Sequence, residues 1–421
     1  MKYSKFNPFR FKRRSYIKLL CFKSILIIFM TSCGFEIQED KQAVEQQGGK
    51  SDDEKPTTNI LTGADRTDQY LDRIKGKRVA IVGNQTSLIA GKHLVDTLLS
   101  LGVQVKKVFA PEHGFRGTAD AGEHIDHSKD ARTGLLVISL YGKNKKPTAE
   151  QLKDLDVVLF DIQDMGVRFY TYISTLHYVM EACAESGKEI IVLDRPNPHD
   201  NYVDGPVLKS GYESFVGMHP VPVVYGMTIG EYAQMIRGES WLKTDKKSLL
   251  TIISCSGYER KMAYELPVAP SPNLKSHEAR ILYPSLCFFE ATHVSVGRGT
   301  ERPFELFGHP DFPPGTFQFK PESTTGSKHP KWEGKTCYGY DLHDSLSSVQ
   351  NRLHLSWLIQ ARDLLKGNEF LKNPRFLDLL AGTDELRKQL LEGKTEADIR
   401  KSWQDDLRSF IKLREKYLIY E

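Results

Sequence analysis

Short apolar runs alternate with amphipathic segments between about residue 62 and residue 258. The runs are rich in Val, Ile and Leu, which is typical of strands that are buried on both faces of a sheet. The predicted strands are Arg78–Gly83, Val103–Ala110, Leu135–Tyr141, Asp156–Phe160, Glu189–Leu193 and Leu249–Ser254. The predicted helices are Leu94–Leu101, Thr148–Leu155, Arg168–Ser186 and Thr228–Arg237. This alternation predicts an α/β fold with a Rossmann-like parallel sheet.

The pattern changes after about residue 258. Pro267–Asn273 is a proline-rich loop, and Ser295–Pro310 is rich in glycine and charge. Short strands are predicted in Phe312–Pro321 and Trp332–Tyr340, and helices in Leu353–Leu365, Asp384–Leu391 and Glu396–Tyr420. We therefore expect a Rossmann-like domain over residues 62–265 and a smaller α+β domain over residues 266–421.

The first 33 residues have the pattern of an export signal. Eight Lys and Arg residues, with no acidic residue, precede a short apolar run at Ile25–Met30. Small residues directly before Cys33 resemble a bacterial lipobox, so residues 1–33 are predicted to be a lipoprotein signal with lipid on Cys33. Residues 34–61 are polar and predict a disordered tether. The expected location is outside the cytoplasm, anchored to a bacterial membrane in the periplasm or at the outer membrane; a plain anchor helix is the alternative.

Composition excludes some function classes. The net charge of +4 comes largely from the leader, so nucleic-acid binding is not expected. The first strand is followed by Gly83–Ser87, which lacks the Gly-x-Gly-x-x-Gly turn of dinucleotide-binding proteins, and no cofactor is predicted. The four cysteines beyond the leader are too widely spaced for a metal knuckle.

Polar side chains follow four of the predicted strands. The stretch Val105–Gly117 is the clearest case, because a strand ends at Pro111 and delivers Glu112 and His113 to a glycine-flexed loop. The set is Asn84, Glu112, His113, Asp161, Asp164, Asp194 and Asn197. The carboxyl ends of parallel strands meet at one edge, where ligands bind. The loop Asp161–Tyr172 adds Gln163, Arg168 and Tyr172 to this predicted site.

Carboxylates, amides and aromatic rings together are typical of sugar-binding sites. Glycoside hydrolysis needs one acid for the leaving oxygen and usually a second carboxylate. Glu112 suits the first role; the candidates for the second are Asp161, Asp164, Glu290 and Glu301. Two alternatives stay open: a metal-dependent hydrolase that uses the acidic and histidine-rich segment Glu112–His127, and a non-catalytic anchored sugar-binding protein.

The ordered motifs after the tether resemble the exo-β-N-acetylmuramidase family. The matching stretches are Val82–Thr86, Pro111–Gly114, Asp161–Tyr172, Asp194–Pro198, Gly226–Glu231, Ser271–Asn273 and Gly297–Phe304. The resemblance implies an active site in the cleft between the two domains. It also implies release of terminal β-1,4-linked N-acetylmuramic acid from the non-reducing ends of peptidoglycan fragments.

The resemblance implies that Glu112 is the catalytic acid/base, and Asp164 and Glu301 are expected beside it as further catalytic carboxylates. The expected substrate-binding residues are Asn84, His113, Gln163, Arg168, Tyr172, Asn197, Asn273 and Arg298. We add the hypothesis that Arg168 or Arg298 holds the lactyl carboxylate of muramic acid, because a guanidinium binds a carboxylate in a bidentate manner.

Three residues depart from the family pattern. Tyr225 stands where His is more usual, Lys275 where a small or apolar residue is expected, and His293 where Asn is common. These departures affect the prediction of which glycan is bound more than the prediction of the fold. The expected partners are a peptidoglycan-derived glycan of muramic acid and glucosamine, and the membrane that holds the anchor.

Overall fold

The structure is a computed structural model that describes residues 60–112, 114–116, 128–315, 317–349, 351–365 and 370–421. The predicted lipidation site Cys33, the signal segment and nearly all of the tether lie outside these residues. Within the described ranges, none of the helices combines the length and the apolar character needed to cross a membrane.

The described chain contains twelve strands. They are Arg78–Gly83 (β1), Leu88–Ile89 (β2), Lys92–His93 (β3), Gln104–Ala110 (β4), Ser128–Lys129 (β5), Leu136–Ser139 (β6), Val157–Asp161 (β7), Glu189–Leu193 (β8), Leu249–Ile253 (β9), Leu306–His309 (β10), Gln318–Phe319 (β11) and Cys337–Asp341 (β12).

Twelve α-helices are described as well. They are Thr67–Ile74 (α1), Leu94–Ser100 (α2), Ala149–Leu152 (α3), Tyr172–Glu185 (α4), Ile229–Gly238 (α5), His277–Leu286 (α6), Leu346–Val349 (α7), Ser356–Leu365 (α8), Pro374–Ala381 (α9), Glu385–Leu391 (α10), Glu396–Ser402 (α11) and Gln404–Arg414 (α12). A 3₁₀ helix, Cys287–Ala291, continues directly from α6.

A seven-stranded sheet forms the centre of the fold. Its order is β5-β6-β4-β1-β7-β8-β9, and every pairing is parallel except that of β5 with β6. All six strands predicted in this region are present, so the α/β fold with a Rossmann-like parallel sheet is confirmed. A separate three-stranded antiparallel sheet of order β10-β12-β11 follows in the C-terminal part of the chain.

Both faces of the central sheet are buried. In β1, Val79 and Ile81 pack into one apolar cluster with α1 and α2, whereas Ala80 and Val82 pack into a second cluster. The second cluster continues without a break into the C-terminal helices as far as Phe410. The C-terminal part therefore covers one face of the sheet and shares its core.

Some predicted element bounds are corrected by the structure. The helix predicted from Arg168 begins at Tyr172, because the backbone at Val167 and Arg168 pairs with Val223 and Val224 instead. The helix predicted over Glu396–Tyr420 is broken at Trp403, which is buried. Helices α1, α6 and α9 are not predicted; α6 contains Pro284, which by its usual effect ends or kinks a helix.

Candidate active site

A cavity of about 290 Å³ opens at the carboxyl end of β4. Its walls come from both predicted domains. The lining residues are Glu112, Tyr141, Phe169, Tyr170, Thr171, Tyr172, Phe215, Val216, Ser271, Asn273, Leu274, Tyr283, Cys287, Glu290, Arg298, Phe304, Phe376 and Leu380. Aromatic faces and a few charged or amide groups in one concave site match the chemistry of a sugar pocket.

Glu112 lies partly exposed in this cavity, one residue beyond the proline that ends β4. The Thr171 hydroxyl lies 3.5 Å from its Oε2 and donates to it. Burial, helped by the charge and hydrogen bonding of Glu112, raises the pKa of Tyr141 to about 12. The Tyr141 hydroxyl therefore stays protonated and is a second donor for the Glu112 carboxyl group.

Tyr172 is a cavity residue whose hydroxyl is fixed from behind. Asn84 Nδ2 donates to Tyr172 Oη over 2.9 Å, while Asn84 Oδ1 accepts from the backbone amide and hydroxyl of Thr86. Burial, with the charge of Glu112 next in importance, raises the pKa of Tyr172 above its ordinary value. Asn84 is thus not a lining residue, and it influences the cavity through the orientation of Tyr172.

Arg298 and Glu290 form the other charged end of the cavity. Arg298 Nε donates to Glu290 Oε1 over 2.9 Å, and Arg298 Cζ lies 4.9 Å from the centre of the Phe304 ring. These contacts fix the guanidinium plane through Nε and one face. Within the described chain, neither terminal guanidinium nitrogen forms a hydrogen bond. The two terminal nitrogens of Arg298, which can bind a carboxylate in a bidentate manner, are therefore oriented by the protein and remain available to a ligand.

Lys331 stabilises the backbone around Glu290 at this end of the cavity. Its Nζ donates to the carbonyls of Phe289, Glu290 and Val294 over 2.7, 3.3 and 3.3 Å. Burial lowers the pKa of Lys331 to about 8. Burial alone would raise the pKa of Glu290, but Arg298 and Lys331 outweigh it and hold that pKa below its ordinary value. Three cations, Arg298, Lys331 and Lys372, act on the single carboxylate of Glu290 at this end, which favours a bound anion.

Asp164 is not among the lining residues. It is buried, and its Oδ2 accepts from the Gly166 amide over 2.7 Å and from the Tyr225 hydroxyl. Burial raises the pKa of Asp164 to about 6. The carboxyl is enclosed by its own loop and by Tyr225, the first of the three departures from the family pattern. A direct action of Asp164 on substrate therefore stays a prediction, for a residue that does not line the cavity.

Arg168 is also removed from the cavity, because its guanidinium is fully buried. Nη1 donates to the carbonyls of Pro206 and Val221 over 2.9 and 2.6 Å, and Nη2 donates to Leu380 over 2.9 Å. Burial lowers the pKa of Arg168 to about 9. Its terminal nitrogens donate to backbone carbonyls, whereas Arg298 is the one of the two arginines that lines the cavity.

The remaining predicted residues divide by what their polar atoms bind. Gln163 donates to the carbonyls of Asp164 and Pro196, and Asn197 donates to Met227 and accepts from the His199 amide. These two side chains hold neighbouring loops together and do not line the cavity. Asn273 does line it, while its Nδ2 donates to the Gly326 carbonyl over 2.8 Å.

Two further predictions concern Glu301 and His113. Glu301 is exposed and does not line the cavity, whereas Glu290 does; a catalytic role for Glu301 stays a prediction. His113 lies outside the described residues. Of the four candidates for the second carboxylate on sequence grounds, Glu290 is the one that lines this cavity.

Two carboxylates at strand ends serve the fold. Arg195 binds Asp161 through two hydrogen bonds of 2.6 and 3.0 Å, and both side chains are buried. Asp194 accepts from the hydroxyls of Thr228 and Tyr420 over 2.8 and 2.6 Å. Parallel strands do bring these groups to one edge, but only Glu112 of the strand-end carboxylates lines the cavity.

Sequence reasoning missed several aromatic residues of the cavity. Tyr141 follows β6 by two residues, so the strand-end argument that selects Glu112 applies to it as well. Phe304 has a left-handed backbone, with φ of 63°, at the end of the glycine-rich stretch that carries Arg298. Phe215 and Phe376 have no comparable signal, because they reach the cavity from a long loop and from α9.

The other two departures from the family pattern lie away from the cavity walls. Lys275 is exposed. His293 is partly buried, and its backbone binds Phe370 and the Trp332 indole. Neither lines the cavity.

The segment proposed for a metal site is mostly outside the described residues. Among those that are described, no group of three or more His, Cys, Asp or Glu side chains is arranged to hold a metal ion.

Comparisons with known proteins agree along the chain. The family model for the N-terminal domain of the exo-β-N-acetylmuramidase NamZ matches residues 79–278, and that for its C-terminal domain matches residues 281–420. The peptidoglycan β-N-acetylmuramidase NamZ of Bacillus subtilis is 39% identical over a 388-residue alignment, which covers 86% of this chain and 91% of that protein.

Two solved structures share the fold. One DUF1343 family protein from Bacteroides fragilis is 40% identical with a TM-score of 0.79, and covers 86% of this chain and 99% of its own. A second from the same organism is 31% identical with a TM-score of 0.73, and covers 87% of this chain and 100% of its own. The chain is therefore a member of the exo-β-N-acetylmuramidase NamZ family.

Proposed function

We propose that this protein is an exo-acting glycoside hydrolase that releases terminal β-1,4-linked N-acetylmuramic acid from the non-reducing ends of peptidoglycan fragments. The observation that carries the proposal is the shared cavity of Glu112 and Arg298. One residue supplies an acid for the glycosidic oxygen, and the other supplies a fork for a carboxylate. Muramic acid differs from glucosamine by a lactyl group that carries such a carboxylate.

In the proposed reaction, Glu112 protonates the oxygen that leaves with the next sugar. The bond between this oxygen and the anomeric carbon of muramic acid breaks, and water supplies the new hydroxyl at that carbon. A glycosidic oxygen is a poor leaving group without this proton, so the step depends on a carboxylic acid within hydrogen-bonding reach. The hydroxyls of Thr171 and Tyr141 orient the Glu112 side chain. Glu290 is the second carboxylate among the described lining residues, and Arg298 and Lys331 keep it ionised.

Binding of the lactyl carboxylate is assigned to Arg298. Its Nε is held by Glu290 and one of its faces by Phe304, so the terminal nitrogens are oriented before substrate arrives. Pre-orientation reduces the conformational entropy lost on binding. The aromatic side chains Tyr172, Tyr283 and Phe304 offer faces for the sugar ring.

The test is hydrolysis of two isomeric disaccharides by the purified full chain, with product identified by mass spectrometry. The isomer with muramic acid at the non-reducing end should yield free N-acetylmuramic acid, and the isomer with glucosamine there should not. A chelator should leave the rate unchanged. Cleavage of the reversed isomer as fast as the first isomer, loss of activity with chelator, or binding without turnover would each contradict the proposal.

We also propose export and lipid attachment at Cys33. The support is the basic leader, the apolar run and the small residues before that cysteine. In cell fractionation, the wild-type chain should sediment with membranes, and Cys33→Ala should move it to the soluble fraction. An unchanged distribution would contradict lipid attachment at this residue.

A further inference from the structure

A lysine-rich connection joins β6 to α3. It begins at Tyr141, which lines the cavity beside Glu112, and continues as Gly-Lys-Asn-Lys-Lys over residues 142–146. Three lysines in four positions place a strong positive charge beside the mouth of a sugar site.

The three lysines differ in their partners. Lys146 Nζ binds Glu181 and Glu185 over 2.7 and 2.8 Å, so its charge is compensated. Lys143 and Lys145 form no ion pair with any residue in the described part of the chain. Lys143 is exposed, whereas Lys145 is partly buried. Lys145 is therefore a partly buried cation whose charge is not neutralised by an acidic side chain in the described part of the chain.

Lys145 is held by an aromatic ring that belongs to the cavity. Its Nζ lies 4.3 Å from the centre of the Phe215 ring, which is cation–π geometry. Phe215 in turn stacks on Tyr178, with ring centres 6.3 Å apart and an interplanar angle of 15°. The Ser174 hydroxyl donates to the Phe215 carbonyl over 2.8 Å. The cation is thus fixed to the cavity wall through Phe215.

We propose that Phe215 and Lys145 form a binding site for the glycan beyond the scissile bond, in which Lys145 binds the lactyl carboxylate of the second muramic acid. This inference rests on the proposed function. The sugars of the peptidoglycan chain alternate, so the glucosamine released from the terminal muramic acid is followed by another muramic acid. The next carboxylate therefore lies outside the cavity, on the side of the leaving sugar. Phe215 lines the cavity and holds Lys145, so it connects the two binding positions.

The consequence is a preference for longer chains. A disaccharide reaches Glu112 and Arg298 but carries no second muramic acid. A peptide-free tetrasaccharide of two repeats carries one, and its carboxylate gains a charge-assisted contact with Lys145. The contact binds substrate away from the reacting atoms, so it should appear chiefly in KM.

The experiment compares kcat/KM for the tetrasaccharide with kcat/KM for the disaccharide. In Lys145→Met of the full chain, this ratio should fall by about threefold to tenfold, the scale of one charge-assisted contact near the surface. Lys145→Arg should keep the ratio. Lys106→Met is the matched control, because Lys106 is an exposed lysine within β4 and should leave the ratio unchanged.

A modified substrate tests the carboxylate itself. When the second lactyl carboxyl of the tetrasaccharide is amidated, the wild-type ratio should fall to that of Lys145→Met, and the variant should not respond. An equal ratio for wild type and Lys145→Met, with both hydrolysing the disaccharide, would overturn this inference alone. Absence of disaccharide hydrolysis by wild type would instead overturn the proposed function.

Discussion

Two arginines with the same predicted role lie in opposite settings. Arg168 is fully buried, and its terminal nitrogens donate hydrogen bonds to three backbone carbonyls. Arg298 is held at Nε and leaves its terminal nitrogens to the cavity. The terminal guanidinium nitrogens are bound by the protein in Arg168 and available to a ligand in Arg298. We therefore propose that Arg298 selects muramic acid.

Replacement of Arg298 should reduce selectivity for muramic acid more than it reduces turnover. Arg298→Met should raise KM for a chromogenic muramide by roughly 10- to 100-fold, the range expected for lost hydrogen bonds to a charged group. The ratio of kcat/KM for the muramide to that for the matching glucosaminide should fall by a similar factor. Steady-state kinetics on both substrates measure this ratio.

Two other variants sharpen the comparison. Arg298→Lys should recover only part of the selectivity, because lysine keeps the charge but lacks the planar fork. Arg352→Met removes an exposed arginine that pairs with Glu396, and should leave the selectivity unchanged. An equal loss on muramide and glucosaminide in Arg298→Met would show that Arg298 does not recognise the lactyl group.

Sequence motifs identify several residues that line the cavity, but they do not distinguish these from nearby residues that bind the backbone. Glu112, Tyr172, Asn273 and Arg298 are named on sequence grounds and do line the cavity. Gln163, Asn197 and Arg168 match the same motifs, yet their polar atoms satisfy buried backbone groups of irregular loops. A motif gives the residue type and its place in a loop; it does not say which carbonyls would otherwise remain unpaired.

At the scale of elements, the C-terminal end of α9 links Arg168 to the cavity wall. The helix carries Phe376 and Leu380 into the cavity and ends at Gly382, where φ is 73°. A Cβ atom at Gly382 would lie 2.8 Å from Arg168 Nη2 and 2.8 Å from the Leu208 Cα atom. Glycine is needed here for both its backbone conformation and its small size.

Gly382→Ala should therefore destabilise the protein by about 2–4 kcal/mol, because left-handed strain and close contact act together. Gly393→Ala is the matched control: φ is 75° there and no atom lies within 4 Å of the added Cβ. It should cost only about 1 kcal/mol. Urea unfolding gives both free energies, and equal costs would contradict the close packing of α9 on Arg168.

The parallel-sheet elements are predictable because each strand is an apolar run between turn residues. Strands β1 and β8 have the predicted bounds, Arg78–Gly83 and Glu189–Leu193. Helix α9 is different: it begins with Pro374 at its first position and is only eight residues long. Its stability depends on apolar partners contributed by distant segments, and local sequence carries little information about those partners.

At the scale of the whole molecule, the C-terminal part is joined to the sheet by a continuous core. The apolar cluster that begins at Ala80 in β1 reaches Phe410 in α12. This packing brings Glu290 and Arg298 to the same cavity as Glu112. The sequence predicts an α/β region followed by a mixed α+β region. It does not predict which face of the sheet the C-terminal region covers, because that depends on side-chain packing between remote elements.

The central claim is that Glu112 donates the proton to the leaving oxygen, and Glu112→Gln tests it most directly. The variant preserves shape and removes the acid, so kcat on the disaccharide with muramic acid at the non-reducing end should fall by about 10²- to 10⁴-fold. Binding of that disaccharide, measured by calorimetry, should persist. Glu150→Gln, at an exposed residue paired with Lys153, should retain wild-type turnover. Turnover by Glu112→Gln within a few-fold of wild type would contradict the account.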